Sequence, residues 1–352
     1  MRLTLVTDAW EPQTNGVVST LKSTCRQLAA MGIEVGRISP EAFSTVPCPS
    51  YPEIRLALGA AAEVGSHLES FRPDAIHIAT EGPLGVAARD WCLRRQLRFT
   101  TSYHTRFPEY VQARWPIPLG VAYRYMRWFH DAASGTMVST VAMKTLLEQR
   151  GFRNLRSWSR GVDTDLFRPR EEARSNRDSV LPELVCVGRV AIEKNIEAFL
   201  RTPMPGRKTV IGDGPARSRL QELYPDVEFT GMLHGEALAR RIAMADVMVF
   251  PSLTDTFGLV MLEAIACGVP VAAFPVTGPI DVITPGVTGW MEDDLATAVE
   301  RALQIDRVAC RLAALARSWQ SSTLEFVRNL VPASRVGSLS IRRWSTHVDT
   351  VA

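Results

Sequence analysis

Short apolar runs alternate with longer amphipathic segments along most of the chain. In the first half, the runs LTLVT at 3–7 and DAIHI at 74–78 have the length of strands, and the segment Val17–Ala30 between them has helical periodicity. Strands that alternate with helices in this way predict a parallel sheet covered by helices.

The same alternation begins again after a polar stretch at 168–177, with strand-like runs that include LVCVG at 184–188 and DVMVF at 246–250. The pattern predicts an α/β protein with two tandem, doubly wound parallel-sheet domains. The expected limits are 1–168 for the first domain, 182–318 for the second, and 319–352 for a C-terminal helix that returns to the first domain and a weakly ordered tail.

The longest apolar stretch, Gly258–Phe274, has the composition of a membrane span, but Glu263 lies within it and Gly268 and Pro270 interrupt it. We therefore expect a buried helix followed by a buried strand. The first residues show no signal-peptide pattern, and the six cysteines contain no CxxC pair, so reduced thiols and a cytoplasmic location are expected.

Composition and net charge exclude only a few classes of function. The chain has 352 residues, of which 46% are apolar, and its net charge of +3 argues against a general nucleic-acid binder. Neither GxGxxG nor GxxxxGK[ST] occurs, which argues against a dinucleotide oxidoreductase and against a P-loop enzyme. A phosphate-binding site must then use other loops.

Loops at the carboxyl ends of the predicted strands are the first candidates for such a site. Gly16 follows the first strand and precedes a helix, where it either lets backbone amides approach an anion or forms an ordinary tight turn. In the second half, Arg189 and Lys194 share one loop and suit a diphosphate. Gly212 and Gly214 in GDGP permit a sharp turn against a base or ribose.

The segment SLTDTFGLVMLEAIACG is the strongest candidate. Phe257, Gly258 and Leu259 are expected to open a helix whose first amides can bind a phosphate. Glu263 then lies in a helix that is otherwise apolar, so it needs partners, either ribose hydroxyls or a buried cation. Asp255 precedes the helix, where it can reach sugar hydroxyls.

These motifs, together with NGV near the N-terminus and RGVDTDLF at 160–167, resemble the family-4 retaining glycosyltransferases of GT-B fold over about residues 1–332. The resemblance implies two Rossmann-like domains that face a cleft, and a UDP- or GDP-linked sugar as donor. It implies that Arg189 and Lys194 contact the diphosphate, Glu263 the ribose and Asp255 the transferred sugar. The family usually has Glu where this chain has Asp255.

In the first half, His104 follows a predicted strand in TSYHT, a string that resembles the family's histidine site. The resemblance implies that His104 and Asp255 orient the sugar while the departing diphosphate deprotonates the acceptor. Asp163 and Asp165 have the DxD spacing of metal-dependent transferases, but their place in RGVDTDLF favours a structural role. No metal and no other cofactor is therefore expected.

Eight arginines lie in the span Arg89–Arg127, against two acidic residues, and aromatic residues lie among them. This mixture suits the headgroup layer of an anionic membrane, although an ordinary solvated face is the alternative. We expect contact with the inner face of the cytoplasmic membrane and a lipid acceptor such as diacylglycerol. The alternatives are a mannosyltransferase with a phosphoinositide or non-lipid acceptor, a sugar-nucleotide epimerase and a non-catalytic nucleotide-sugar-binding module.

Overall fold

The computed structural model describes residues 1–48, 51–113, 115, 117–170 and 181–335. They form two compact units, of which the first contains Met1–Ser159 together with residues 319–335, and the second is Arg160–Ser318. The boundary predicted at residue 168 thus lies inside the second unit, because Val162 pairs with Ser318 and Phe167 packs in that unit's core. Most of the predicted junction and tail, at 171–180 and 336–352, lies outside the described residues.

A six-stranded parallel sheet forms the centre of the first unit. Its strands are β1 (Arg2–Val6), β2 (Glu34–Ile38), β5 (Ala75–Ile78), β6 (Thr100–Tyr103), β7 (Gly135–Val138) and β8 (Leu155–Ser157), and a separate hairpin contains β3 (Thr45–Cys48) and β4 (Tyr51–Ala57). The order in the sheet is β2-β1-β5-β6-β7-β8. The helices are α1 (Gly16–Ala30), α2 (Ala60–Phe71), α3 (Pro83–Arg94), α4 (Phe107–Gln112), α5 (Leu119–His130), α6 (Val141–Gln149) and, at the C-terminus, α14 (Trp319–Asn329).

The second unit repeats this architecture. Its strands are β9 (Glu183–Val187), β10 (Arg207–Ile211), β11 (Glu228–Gly231), β12 (Val247–Phe250), β13 (Val271–Ala273) and β14 (Gly289–Met291), in the order β11-β10-β9-β12-β13-β14. Its helices are α7 (Ile196–Arg201), α8 (Arg217–Leu223), α9 (Gly235–Ala243), α10 (Leu259–Ala266), α11 (Pro279–Val282), α12 (Leu295–Ala302) and α13 (Arg307–Leu315). Two doubly wound parallel sheets, as the sequence predicts, are therefore confirmed.

The middle strand β6 is polar and yet fully buried. The imidazole of His77 joins Thr100 Oγ1 and Ser102 Oγ by hydrogen bonds of 2.9 Å each, and Thr101 Oγ1 lies 3.0 Å from Thr136 Oγ1. Buried hydroxyls that find such partners avoid the cost of desolvation without a hydrogen bond. These hydrogen bonds connect the side chains of β5, β6 and β7 inside the sheet.

The C-terminal helix α14 lies against α1 in the first unit. Its Phe326 is fully buried, with the ring centroid 4.8 Å from that of Trp158, and Arg156 Nη1 donates a 2.7 Å hydrogen bond to the carbonyl of Asn329. The helix thus completes the core of the first unit.

The apolar stretch Gly258–Phe274 forms helix α10 and strand β13 inside the second unit. No helix within the described ranges combines the length and hydropathy that a bilayer span needs.

Candidate functional site

The topology of the second sheet indicates the edge at which a ligand site is expected. Strand β9 lies between β10 and β12. After β9 the chain adds β10 and β11 on one side of it, and then β12, β13 and β14 on the other side. In doubly wound sheets, ligands bind beyond the carboxyl ends of the strands at such a switch point. The loops that follow β9 and β12 meet there.

An ion pair joins these two loops. Lys194 Nζ lies 2.5 Å from Asp255 Oδ1, and both side chains keep part of their surface exposed. The amide of Asn195 donates to the carbonyl of Pro251 at 3.1 Å, and the hydroxyl of Ser252 to that of Glu193 at 3.4 Å. Within the described ranges, Asp255 Oδ2 is buried and has no hydrogen-bond partner. The pair thus retains an acceptor for a ligand.

Helix α10 begins at the same edge. Its cap, Gly258, has a φ of 82°, and a Cβ there would lie 2.7 Å from Phe250 Cζ, so the position requires glycine. The predicted helix start at Phe257-Gly258-Leu259 is therefore confirmed, although the Phe257 side chain is buried in the core. The first amides of a helix have no partner within it and favour an anion.

Glu263 projects from the middle of α10, where every neighbouring position of the helix is apolar. Burial raises the pKa of its carboxyl to about 7, although the residue as a whole is not fully buried. A carboxyl in this setting is stabilised in its ionised form when hydroxyl groups donate to it. Glu263 has the environment of a ligand-binding carboxylate.

The loops after β9 and β10 are tied to each other. Val190 N donates to the carbonyl of Asp213 at 2.9 Å, directly beyond the half-buried Arg189. A Cβ on Gly212 would lie 1.9 Å from the carbonyl oxygen of Gly188, and one on Gly214 2.5 Å from that of Val190. Both glycines therefore serve the close approach of two backbone segments, a role that the sequence analysis did not assign to them.

The second unit thus brings most of the predicted site residues to one edge of one sheet. These residues are Arg189, Lys194, Gly212, Gly214, Asp255, Phe257, Gly258, Leu259 and Glu263. The other two predicted residues, Gly16 and His104, belong to the first unit.

In the first unit, His104 directly follows β6 and packs edge-on against Trp158, with ring centroids 5.6 Å apart. Gly16 is the first residue of α1, but the side chain of Asn15 accepts hydrogen bonds from Val17 N and Val18 N at 3.0 Å each. Asn15 thus caps these two amides, and the role of Gly16 at the donor stays a prediction.

Three polar residues at the carboxyl edge of the first sheet, Asp8, Glu81 and His130, were not predicted from the sequence. Buried Asp8 accepts hydrogen bonds from Thr80 Oγ1 at 2.8 Å and from Leu84 N at 2.9 Å, and desolvation raises the pKa of its carboxyl. His130 lies 3.1 Å from Glu81 Oε1. Asp8 and Glu81 follow strand ends, a signal that could have identified both.

The arginine-rich span is partly buried and partly exposed. Arg89 is only 7% exposed, its guanidinium lies 3.9 Å over the ring of Trp128, and it donates to the carbonyls of Trp128 and Phe129. Arg95 pairs with Glu69 and lies over the ring of Trp91. Part of the span therefore faces the core through α3, and membrane contact through Arg89–Arg127 stays a prediction.

A narrower exposed face remains on α5. Val121, Arg124, Tyr125 and Trp128 are exposed at helical spacing, and Trp128 is 46% exposed despite its contact with Arg89. Apolar side chains are also exposed in the segment that precedes α5, at Phe107, Trp115 and Ile117. We call Val121, Arg124, Tyr125 and Trp128 the α5 face.

The DxD sequence has a local structural role. Asp163 Oδ1 accepts hydrogen bonds from Asp165 N at 3.2 Å and from Leu166 N at 3.0 Å, which closes a turn. In the part of the chain that the structure describes, no group of three or more His, Cys, Asp or Glu side chains has a metal-binding arrangement.

Two family models match the chain, one described as glycosyl transferases group 1 over residues 181–305 and one as glycosyltransferase family 4 over residues 14–166. A sulfoquinovosyl transferase of Arabidopsis thaliana is 32% identical over 79% of the chain, and the match spans 60% of that protein. A GDP-mannose-dependent alpha-mannosyltransferase of Mycobacterium tuberculosis is 31% identical, over 91% of the chain and 93% of that protein. An alpha-monoglucosyldiacylglycerol synthase of Streptococcus pneumoniae is 26% identical, over 86% of the chain and 78% of that protein.

Among solved structures, sucrose-phosphate synthase of Thermosynechococcus elongatus has the same fold, with a TM-score of 0.75 and 22% identity over 93% of this chain and 97% of that one. The two parallel-sheet units thus define the GT-B class. Within it, the chain belongs to the family-4, or group 1, glycosyltransferases.

Proposed function

We propose that the chain transfers a hexosyl or hexuronosyl group from a UDP- or GDP-linked sugar to a membrane lipid such as diacylglycerol, with retention of the anomeric configuration. The observation that carries this proposal is the Lys194–Asp255 pair at the switch point of the second sheet, beside the start of α10. Cations, helix amides and an incompletely bonded carboxylate at one edge form a site for a diphosphate joined to a sugar.

Each part of the donor has a partner in this proposal. Arg189, Lys194 and the first amides of α10 bind the diphosphate, since they are the cationic and electropositive groups of this edge. Glu263 accepts hydrogen bonds from ribose hydroxyls. Asp255 Oδ2, which is buried without a partner within the described ranges, accepts one from the transferred sugar.

In the proposed step, the bond between the anomeric carbon and the diphosphate oxygen breaks. The acceptor oxygen forms its bond on the same face of that carbon, and the acceptor proton passes to the departing diphosphate. Arg189 and Lys194 stabilise the charge on the leaving group. Asp255 and, as the resemblance implies, His104 orient the sugar. No metal takes part, so loss of all turnover on chelation and its recovery with Mg²⁺ or Mn²⁺ would contradict this step.

A lipid acceptor is supported by two independent observations. The relative from Streptococcus pneumoniae is an alpha-monoglucosyldiacylglycerol synthase. The α5 face exposes Trp128, Tyr125 and Val121 beside the cationic Arg124, a composition that suits the interface of an anionic bilayer. We propose that this face places the protein peripherally on the cytoplasmic side of a membrane.

A second candidate is mannosyl transfer to a phosphoinositide or non-lipid acceptor. It is favoured by the GDP-mannose-dependent relative, which matches nearly its whole length. The two candidates share the donor site and differ in the sugar and the acceptor.

Release of nucleoside diphosphate tests the activity. The protein is incubated with labelled UDP-glucose, UDP-glucuronic acid or GDP-mannose, with and without diacylglycerol or phosphatidylinositol in mixed micelles. The proposal expects release that requires diacylglycerol, with label in a lipid product. Release that requires phosphatidylinositol and GDP-mannose supports the second candidate, and release in neither case overturns both.

Vesicle co-sedimentation tests the membrane contact separately. The wild type is expected to sediment with anionic vesicles at low salt, and Trp128→Ala combined with Val121→Asp to remain in the supernatant. Leu312→Asp is the matched control, because Leu312 is also an exposed apolar residue on a helix, in the second unit. Equal sedimentation of all three proteins would contradict the α5 face as the contact.

A further inference from the structure

Three glycines lie side by side at the carboxyl ends of β9, β10 and β11. Gly188 N donates to the carbonyl of Ile211, and Gly212 N to that of Gly231, both at 2.9 Å. No heavy atom of the described residues lies within 4 Å of the place where a Cβ on Gly188 would stand. Gly188 thus faces open space, whereas a Cβ on Gly212 would meet the carbonyl of Gly188 and one on Gly231 the guanidinium of Arg217. We call these three strand-end glycines, none of which carries a side chain, the glycine shelf (Gly188, Gly212 and Gly231). Such a surface lets a flat ring approach the backbone.

The guanidinium of Arg217 borders the glycine shelf. Its Nη1 would lie 3.1 Å from a Cβ on Gly231, and Asp213 Oδ2 fixes it by accepting a hydrogen bond of 3.0 Å from the same nitrogen. Nη2 donates to the carbonyl of Phe229 at 3.3 Å. These bonds use two of the five N–H groups of a guanidinium, and among the described residues Nε has no hydrogen-bond partner. The Arg217 side chain is thus held in place and still has N–H groups that can donate to a ligand.

The glycine shelf continues directly from the cations of the donor site. The hydrogen bond from Val190 N to the carbonyl of Asp213 ties the Arg189 loop to the loop that carries the partner of Arg217. A nucleoside whose diphosphate lies at Arg189 and Lys194 can thus extend its base across the glycine shelf toward Arg217. This step rests on the proposed function, because it takes the diphosphate site from it.

We propose that Arg217, positioned by Asp213, determines which nucleobase the donor carries. A guanidinium only donates hydrogen bonds, so it suits a base edge that presents carbonyl oxygen, such as O4 of uracil or O6 and N7 of guanine. Adenine keeps the acceptor N7 but presents an amino donor where guanine has O6 and uracil has O4, so a donor faces the guanidinium in place of an acceptor. The site therefore selects UDP- or GDP-linked donors against ADP-linked ones.

Calorimetric titration of the whole chain with UDP, GDP, ADP and inorganic pyrophosphate tests the assignment. The wild type is expected to bind UDP or GDP about tenfold more tightly than ADP, the discrimination of one good base contact. Arg217→Ala is expected to reduce this ratio to about one while it leaves pyrophosphate binding unchanged. Arg219→Ala is the matched control, since Arg219 lies on the same helix but pairs with the exposed Glu197.

A variant with an intact charge separates recognition from folding. Arg217→Lys keeps the cation but loses the planar fork, so we expect it to keep the wild-type thermal midpoint and to lose most of the base preference. An unchanged ratio of UDP or GDP to ADP affinity in both variants overturns the assignment. So does an equal loss of affinity for every ligand, pyrophosphate included.

The same titration distinguishes the two proposals. A wild type that binds pyrophosphate and all nucleoside diphosphates equally overturns only the role of Arg217. A wild type that binds none of them overturns the donor site as well.

Discussion

The carboxyl edges of the two parallel sheets use polar residues in different ways. At the edge of the first sheet, both oxygens of Asp8 accept hydrogen bonds from the protein, and His130 lies between Thr101 and Glu81. At the edge of the second sheet, one oxygen of Asp255 has no hydrogen-bond partner within the described ranges, and burial holds the pKa of Glu263 near 7. The carboxyls of Asp8 and Asp255, at the corresponding edges of the two sheets, thus differ in how completely the protein satisfies them.

This difference separates scaffold from ligand site. Asp8 connects the end of β1 to the start of α3, so its hydrogen bonds stabilise the fold. Asp255 accepts a hydrogen bond from Lys194 through Oδ1, but its Oδ2 has no partner within the described ranges, and burial raises the pKa of Glu263. Hydroxyl groups of a ligand would compensate the desolvation of both carboxyls. Substitution of Asp8 should therefore change stability, and substitution of Asp255 or Glu263 should change ligand binding and turnover.

The largest effect is expected for Lys194→Ala. Loss of this cation removes charge stabilisation from the leaving diphosphate, so kcat should fall by about 100-fold while the thermal midpoint changes little. Initial rates of nucleoside diphosphate release measure the effect. Lys22→Ala is the control, because Lys22 forms an exposed pair with Glu11 in the first unit. Wild-type rates in Lys194→Ala would contradict the proposed position of the diphosphate at this edge.

Asp8→Ala should produce the opposite signature. It leaves Leu84 N and Thr80 Oγ1 in a buried position without their partner, at a cost of about 2 kcal/mol. Calorimetry should show the thermal midpoint of the first unit lowered by about 4 to 8 °C, with UDP or GDP affinity unchanged. Glu34→Ala, at an exposed pair with Arg2, serves as the control. An unchanged midpoint for Asp8→Ala would contradict its role in the scaffold.

The pH dependence of binding tests Glu263. Its raised pKa means that the ligand-free carboxyl is protonated below about pH 7, and its contribution to stability decreases as the pH rises from the ordinary carboxyl pKa toward 7. Ribose hydroxyls favour the ionised form, so the affinity for a nucleotide sugar should rise about tenfold between about pH 6 and about pH 8. Titration in two buffers of different ionisation enthalpy should show proton release at the lower pH.

Glu263→Gln is expected to abolish that pH dependence and to bind with the weaker, low-pH affinity throughout. An affinity that falls as the pH rises would mean that the ligand requires the protonated carboxyl, contrary to the role proposed here.

Asp255→Glu should have the smallest effect. The additional methylene changes the hydroxyl that the carboxylate reaches, while the ion pair with Lys194 can still form. We expect kcat/KM within about threefold of the wild type and a changed ratio of rates for two donor sugars. Competition between UDP-glucose and GDP-mannose measures that ratio. Unchanged activity and preference would show that Asp in place of the usual Glu is neutral.

Local patterns predicted most of the fold. The run at 3–7 corresponds to β1, the segment Val17–Ala30 to α1, and Phe257-Gly258-Leu259 to the start of α10, because strand and helix periodicity and glycine conformation act over a few residues. The same patterns placed Glu263 inside an apolar helix.

Contacts between distant residues could not be predicted in this way. Lys194 and Asp255 are 61 residues apart, and Asp8 and Thr80 are 72 residues apart, so only the assembled sheets bring them together. The burial of Arg89 against Trp128 likewise depends on how α3 packs on α5. For that reason the charge of the span Arg89–Arg127 alone does not show which of its arginines are exposed.

The most direct test of the donor site is the binding of UDP and GDP to the wild type, Lys194→Ala and Glu263→Gln, measured by calorimetry without any acceptor. The account predicts micromolar binding by the wild type of at least one nucleotide and a loss of about tenfold or more in each variant, while Asp8→Ala binds as the wild type does. Equal affinities in all four proteins, or a loss only in Asp8→Ala, would contradict the assignment of the donor site to the second unit.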